Sequence, residues 1–472
     1  MTFSSTDGSA GRPTSPDFAF FPALGPVEAQ IVGFYRQLES SQWWPADKLR
    51  QWQFAQLTRL VAHARQHVPF YAETPGRLPS VTESEIDESA WRSLPILTKA
   101  EVRADAARLK SRGLPPNTLV YSDWTTGSSG QPLEVLKTAT FDMLFRANKL
   151  RMLRWHSYDP MGKVCEFRPF LKTAGAVHHL PCWEWPLGNL FRTGPQAIMD
   201  IFSEIEAQVH FLEAESPEYL LAFPSNLRLL LRAFRRTGKR LPNLRLVRTM
   251  SERLDPDLRR ECQETLGVPL MDCYGCQEAG YIAIQCPEHD HYHIQSEMSL
   301  VEVLREDGTP CQPGETGRVV ITPLHAFAMP LLRYELGDYA EVGEPCPCGR
   351  GLPVLRQIYG RKKETLTMPS GERRYSIFAS PVFECIEAVA QYQIVQKSLT
   401  ILEVQIVAER PLKEAECDLI IDRLVTQVGP AFEIRLVFVD NIPRPPGGKY
   451  MDFLSEIETG NSNLTSTSPF PP

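Results

Sequence analysis

The sequence predicts an α/β protein, with a layered large domain followed by a small C-terminal one. Three observations predict it. Short apolar runs alternate with amphipathic ones through the middle of the chain, as at 244–250 and 255–266. A polar stretch, Gly360-Arg361-Lys362-Lys363, precedes a second mixture of strand-like and helix-like segments. The length, 472 residues, allows one large domain plus a smaller one.

The elements follow in order. Residues 1–25 begin with a stretch rich in Ser, Thr, Gly and Pro, and the whole is expected to be disordered. From Val27 to Glu73 the pattern is helical. Phe54, Leu57, Leu60, Val61 and Ala64 recur at spacings of three and four, and His67-Val68-Pro69 ends the run because the residue before proline resists the helical conformation. Residues 225–237 read as an amphipathic helix. Asp255-Pro256 reads as a helix start, with an acid at the N-cap and proline at the first position. Residues 293–304 and 317–323 read as strands around a turn at Glu306-Asp307-Gly308. The large domain is expected over 26–360 and the small one over 361–456. A tail rich in Ser, Thr, Asn and Pro, 457–472, is expected to be disordered.

Composition excludes several classes. Hydrophobic residues make up 43% and charged residues 23%, the balance of a globular chain. The formal net charge is −7, whereas a nucleic-acid partner calls for clustered positive charge. The densest basic cluster, Arg235-Arg236 with Lys239-Arg240, reads as a solvated helix end. No apolar run approaches the ~18 residues of a membrane span. The chain start lacks a secretory pattern, so a cytoplasmic location is expected. There the 11 cysteines are free thiols or metal ligands rather than disulfides.

Thr125-Thr126-Gly127-Ser128-Ser129-Gly130 interleaves hydroxyl residues with glycine. Such a loop can turn tightly and present N–H and O–H groups to phosphate oxygens. It is not a Walker loop, since no Gly-Lys-Ser/Thr follows. Composition alone fits a flexible surface linker equally well. A second constellation joins Cys286, His289, His291 and His293 to Cys346 and Cys348. Three thiolates and one imidazole form an ordinary structural zinc set; the bland alternative is free thiols and surface histidines. Cys273 and Cys276 have no partner pair nearby and read as packing residues.

Later segments give the first loop its meaning. Tyr274-Gly275-Cys276-Gln277-Glu278, Met329-Pro330-Leu331-Leu332-Arg333-Tyr334 before Gly337-Asp338, Gly360-Arg361-Lys362-Lys363, and Pro443-Arg444-Pro445-Pro446-Gly447-Gly448-Lys449 follow in order. With the opening from Leu60 to Tyr71 and Cys346-Pro347-Cys348-Gly349-Arg350, this set resembles the adenylate-forming (AMP-forming) acyl-CoA synthetase superfamily. More narrowly it resembles the phenylacetate–CoA ligase branch, over roughly residues 48 to 455.

The resemblance implies a large multi-sheet N-terminal adenylation domain with a small, mobile α+β C-terminal domain. It implies ATP and Mg²⁺ as cofactors, zinc as a structural metal, and a small carboxylic acid as substrate, with coenzyme A as the acceptor. Residue by residue, Thr125, Thr126, Gly127, Ser128, Ser129 and Gly130 would wrap the β- and γ-phosphates. Tyr274, on the turn with Gly275, would stack on adenine. Glu278 would help hold Mg²⁺, Asp338 would accept from the ribose hydroxyls, and Arg361 would contact the ribose or α-phosphate side. Lys363 would be the hinge, and Lys449 would bridge the α-phosphate and the attacking carboxylate. Charge stabilisation by a lysine on a closing domain suits an in-line displacement at phosphorus. The resemblance also favours His293 over His289 as the fourth ligand beside Cys286, Cys346 and Cys348.

There are departures. Gln131-Pro132-Leu133-Glu134 lacks the lysine found after proline in many members, Lys363 stands where an acid is common, and Thr249-Met250-Ser251-Glu252 replaces a glycine-containing turn. The last borders the acyl site, so the acid need not be phenylacetate. Residues 164–194, with Phe167, Phe170, Trp183, Trp185 and Phe191, are the candidate aromatic wall of that site; ordinary core is the equal alternative. A different acceptor (an amine, a carrier-protein thiol or nitrite) and an inactive nucleotide-binding scaffold are the competing functions. A homodimer is compatible with the sequence and not decided by it.

Overall fold

The computed structural model describes residues 18–74, 76–78, 86–125, 133–169, 177–361, 365–371, 373–375, 383, 386, 388–443, 450 and 452–457. Thr126, Gly127, Ser128, Ser129, Gly130, Lys363 and Lys449 lie outside the described residues, as do 1–17 and 458–472. Of Arg361 only the backbone is described.

The alternation seen in the sequence folds into α/β layers. One twelve-stranded sheet dominates. Its middle is parallel: Leu270–Cys276, Leu246–Met250, Tyr219–Ala222, Val164–Arg168 and Gln196–Asp200 lie side by side. Val177–Leu180 closes one edge antiparallel. On the other side the sheet continues antiparallel through Gly280–Gln285, Tyr292–Ile294, Val354–Arg361, Tyr334–Val342, Thr316–Pro323 and Ser299–Leu304. The parallel strands read as continuous apolar runs because helices cover both faces. Pro224–Thr237 and Pro256–Leu266 lie on one face, where Leu227, Leu230, Leu231, Phe234, Leu258 and Cys262 share a core with Phe167, Leu220 and Val247. Ala139–Trp155 lies on the other, burying Leu150, Leu153 and Trp155 against Leu246, Met271 and Ile284. Buried Arg151 on that helix fastens it to the antiparallel flank through a 2.7 Å ion pair with Glu297.

The helix starts and stops follow the sequence. Ala46–His67 ends where Val68 turns extended before Pro69. Pro256–Leu266 starts where the Asp255 carboxylate accepts from the Asp257 N–H at 3.2 Å.

Two expectations need correction. Residues 18–25 are ordered: Phe18 is buried and stacks on Phe191 at 4.8 Å, because Phe18 and Phe20 both find an apolar wall there. Residues 293–304 are two strands, not one. Gln295 to Met298 turn the chain between Tyr292–Ile294 and Ser299–Leu304, which occupy distant places in the sheet.

Leu366, Phe383, Val389, Ile394, Val404, Ile420, Leu424 and Phe453 form a separate core near the C-terminus. It belongs to a four-stranded sheet, with Val389–Ser398 and Ile401–Ala408 at its centre, covered by the helix Glu414–Val428.

Candidate active site

Ligands of parallel sheets bind beyond the carboxyl ends of the strands. Here Leu270–Cys276 runs on past the end of Leu246–Met250, carrying Tyr274 and Gly275 in its last residues and Glu278 in the turn that follows. Gly275 is required by space: a Cβ there would lie 2.5 Å from the Gly280 carbonyl oxygen. The turn therefore folds tightly back into Gly280–Gln285.

The Tyr274 hydroxyl donates to Asp338 Oδ2 at 2.8 Å. Asp338 in turn pairs with Arg361 across the antiparallel strands Tyr334–Val342 and Val354–Arg361. Three residues singled out in the sequence thus meet at one place. Glu278 joins them from the turn: it is buried, and the Tyr334 hydroxyl donates to its Oε1 at 3.3 Å. A carboxylate has about four acceptor sites, so the contacts with Tyr334 and Cys276 leave room for a cation. Burial, with the Glu278 charge next in importance, pushes the Cys276 thiol well up, so it is a neutral packing group and not a nucleophile.

Thr125 anchors the start of the Gly/Ser loop. Its N–H donates to the Leu133 carbonyl at 2.9 Å, and its hydroxyl accepts from the Leu133 N–H at 3.0 Å. The hairpin Val120–Trp124 with Glu134–Thr138 continues from that clasp.

The sequence marks Thr249 to Glu252 as bordering the acyl site without giving their partners. Glu252 accepts from the N–H and hydroxyl of Ser225 at 2.8 and 3.0 Å, and from the N–H of Tyr450. Arg253 pairs with Asp452 at 3.4 Å. The segment that departs from the family pattern thus ties the strand-end loop to the residue directly after Lys449. The aromatic wall is also redistributed. Phe167 and Phe191 are core, Phe170 lies outside the described residues, and exposed Trp185 is stacked by Arg146. Phe145, from the helix Ala139–Trp155, instead packs on Tyr281 at 5.0 Å, directly beside the Tyr274–Glu278 turn.

A second site lies on the antiparallel side. Cys286, His293, Cys346 and Cys348 converge, with all four ligand atoms within 4.8 Å of one another. Cys286 Sγ is 3.8 Å from Cys346 Sγ, and Cys348 Sγ is 3.3 Å from His293 Nε2. A tetrahedral ion with bonds of ~2.3 Å to sulfur sets sulfurs ~3.8 Å apart, so the spacing fits zinc. His293 Nδ1 lies 3.3 Å from the Leu352 carbonyl, which holds the ring with Nε2 facing the thiols. Burial pushes His293 down to about 4, so it stays neutral at pH 7, as a ligand must. His293 takes this place, and His289 stacks on His291 outside it. Cys273 is buried packing, as read from the sequence.

No helix among the described residues is long and apolar enough to cross a membrane.

Comparison with known proteins agrees with this geometry. Residues 366–455 match the CapK C-terminal domain. The chain is 26% identical to a phenylacetate-coenzyme A ligase of Thermus thermophilus over 442 residues, covering 86% of this chain and 96% of that one. It is 24% identical to a phenylacetate-coenzyme A ligase of Escherichia coli over 428 residues, covering 85% and 93%. Its fold is similar to that of a 2-hydroxyisobutyryl-CoA ligase in the postadenylation state, with a TM-score of 0.70 at 18% identity over 88% of this chain and 91% of the other. Residues 53–327, more than half of the chain, match the AMP-binding enzyme family, and the chain belongs to that family.

Proposed function

We propose that this protein is an AMP-forming acid–thiol ligase that adenylates a carboxylic acid and passes the acyl group to coenzyme A. The observation that carries the reading is the convergence of Tyr274, Asp338 and Glu278 at the strand ends, in the same core as Leu133, which Thr125 clasps. Relatives named phenylacetate-coenzyme A ligase support coenzyme A as the acceptor and an aromatic or arylacetic acid as the substrate.

In this reading Tyr274 stacks on adenine while its hydroxyl holds Asp338 for the ribose hydroxyls. The substrate carboxylate attacks the α-phosphate of ATP; an O–P bond forms and pyrophosphate leaves. Lys449 and Arg361 counter the charge that grows at the α-phosphate, and the glycines and hydroxyls of 125–130 hold the departing phosphates. The thiol of coenzyme A then loses its proton and attacks the acyl carbon, and AMP leaves. Glu278 would hold Mg²⁺, whose charge neutralises the phosphates. Cys286, His293, Cys346 and Cys348 would hold a structural zinc: four protein ligands leave no open position for chemistry. The small domain starts near residue 361, with Lys363 at the hinge. The setting is the cytoplasm, where such thiols stay reduced.

The test is product analysis by chromatography and mass spectrometry with ATP, coenzyme A and a panel of aromatic and arylacetic acids. The reading expects AMP and an acyl-thioester in equal amounts. ADP in place of AMP, or AMP without any thioester, would contradict it.

A further inference from the structure

Four polar groups converge beneath the strand ends without a partner. Lys149 comes from the helix Ala139–Trp155, Arg248 from the strand Leu246–Met250, Tyr281 from Gly280–Gln285, and Tyr158 from the turn after the helix. Arg248 feels the charges of both tyrosines, and each tyrosine feels that of Arg248. Among the described residues, the side chains of Lys149, Tyr158 and Tyr281 make no hydrogen bond or ion pair. Arg248, only 7% exposed, has a single weak acceptor, the thioether sulfur of Met152 at 3.7 Å. Yet none of the four is among the side-chain atoms sealed off without a partner. Lys149 is enclosed by the fold and still keeps accessible surface. Lys149 and Tyr281 are part-exposed while Arg248 and Tyr158 are buried, so the four border an opening in the fold and are not satisfied by one another's lone pairs.

The acid nearest to them is already engaged. Glu166 accepts from Arg168 Nε and Nη2 at 2.6 and 2.7 Å and from Gln196 Nε2 at 3.1 Å. Two cations thus remain inside the fold without a carboxylate, an arrangement that costs free energy unless something else supplies the anion. Burial, with the Arg248 charge next, already holds Lys149 down at about 8. The space adjoins the adenylation turn. Tyr281 lies three residues after Glu278, and Phe145, one helical turn before Lys149, lies over both Tyr281 and Gly280.

We infer that Lys149 and Arg248, with the hydroxyls of Tyr158 and Tyr281, bind a second anionic oxygen group at the end of the substrate remote from the carboxylate that is adenylated. The substrate class is then an aromatic acid bearing a further carboxylate or an acidic ring hydroxyl. Phe145 supplies the ring contact between the two ends. The inference rests on the adenylation reading and names the substrate of that same site.

The test compares three acids matched in ring and side chain: 4-carboxyphenylacetate, 4-hydroxyphenylacetate and 4-methylphenylacetate. Exchange of labelled pyrophosphate into ATP is measured with each, and calorimetry measures the binding of each in the presence of a non-hydrolysable ATP analogue. The expected result is a preference for an oxygen-bearing acid over the methyl acid of about tenfold to a hundredfold. The carboxy and hydroxy arms tell which oxygen group the site takes. In Lys149→Met and in Arg248→Met the preference collapses toward one. Equal or better exchange with the methyl acid overturns the inference and leaves adenylation standing. Exchange with no acid sinks the adenylation reading instead, and calorimetry then decides the anion site: equal binding of the three acids overturns it. The wild-type comparison needs no variant, so a misfolded substitution does not obscure the result.

Discussion

The Tyr274 hydroxyl donates to the Asp338 carboxylate at 2.8 Å, joining the end of a central strand to the antiparallel flank 64 residues later. The bond orients the carboxylate before any nucleotide arrives. Tyr274→Phe keeps the ring and removes the donor. Steady-state kinetics should show KM for ATP raised about threefold to tenfold, the worth of one hydrogen bond, with kcat nearly constant. Asp338→Ala, which removes the carboxylate proposed to hold the ribose, should have the larger effect on kcat/KM.

Gly275→Ala tests the turn. The new Cβ meets the backbone oxygen of Gly280, which cannot rotate away as a side chain would. The variant should lose about 1–3 kcal/mol of stability by denaturant unfolding, the usual cost of overpacking, and bind ATP poorly by calorimetry. Full stability with wild-type ATP affinity would show that the turn is more open than described.

The metal site predicts its own measurement. Purified protein should carry about one equivalent of zinc by mass spectrometry of the metal content, and a strong chelator should lower Tm while releasing it. Cys346→Ser and His293→Ala should each abolish retention. His289→Ala should keep the metal, because His289 lies outside the four convergent ligands.

Lys149 gives a pH dependence with a definite sign. Burial holds the folded side chain at about 8, below the ordinary 10.5. The unfolded chain therefore binds the proton more tightly, and burying the charged form costs stability. That cost is fully present below pH 8 and fades as pH rises toward 10.5. Thermal melts of Lys149→Met should lie above wild type at pH 7, with the difference shrinking by pH 10. A variant less stable at pH 7 would mean that the charge is already compensated.

Glu252 should matter to turnover more than to folding. It holds the Tyr450 N–H next to Lys449 and the start of the helix Pro224–Thr237 through Ser225. Glu252→Ala removes charge-assisted bonds worth about 1.5–3 kcal/mol, so adenylation should slow by about tenfold or more. Glu252→Gln should recover part of the rate.

Much of this was legible in the sequence because it is written locally. Val68-Pro69 stops a helix and Asp255-Pro256 starts one through backbone sterics and capping, which need no distant partner. The Cys/His quartet was legible because few residue types bind zinc, and Cys286 with nearby histidines is followed by the close pair Cys346 and Cys348. What stayed hidden depends on tertiary crossing. Phe145 and Lys149 are about a hundred residues from Arg248, and only the passage of the helix Ala139–Trp155 over the sheet joins them. The break at Gln295 to Met298 carries no glycine or proline signal, so 293–304 reads as one strand. Phe18 reads as part of a polar tail until Phe191 provides its wall.

The central claim is carboxylate adenylation with Lys449 at the reacting centre. Its most direct test is ATP–pyrophosphate exchange without coenzyme A, in wild type and in Lys449→Ala. The account predicts exchange that depends on added acid, and its loss by several orders of magnitude in the variant while ATP still binds. Exchange that needs no acid, or a variant as fast as wild type, would contradict it.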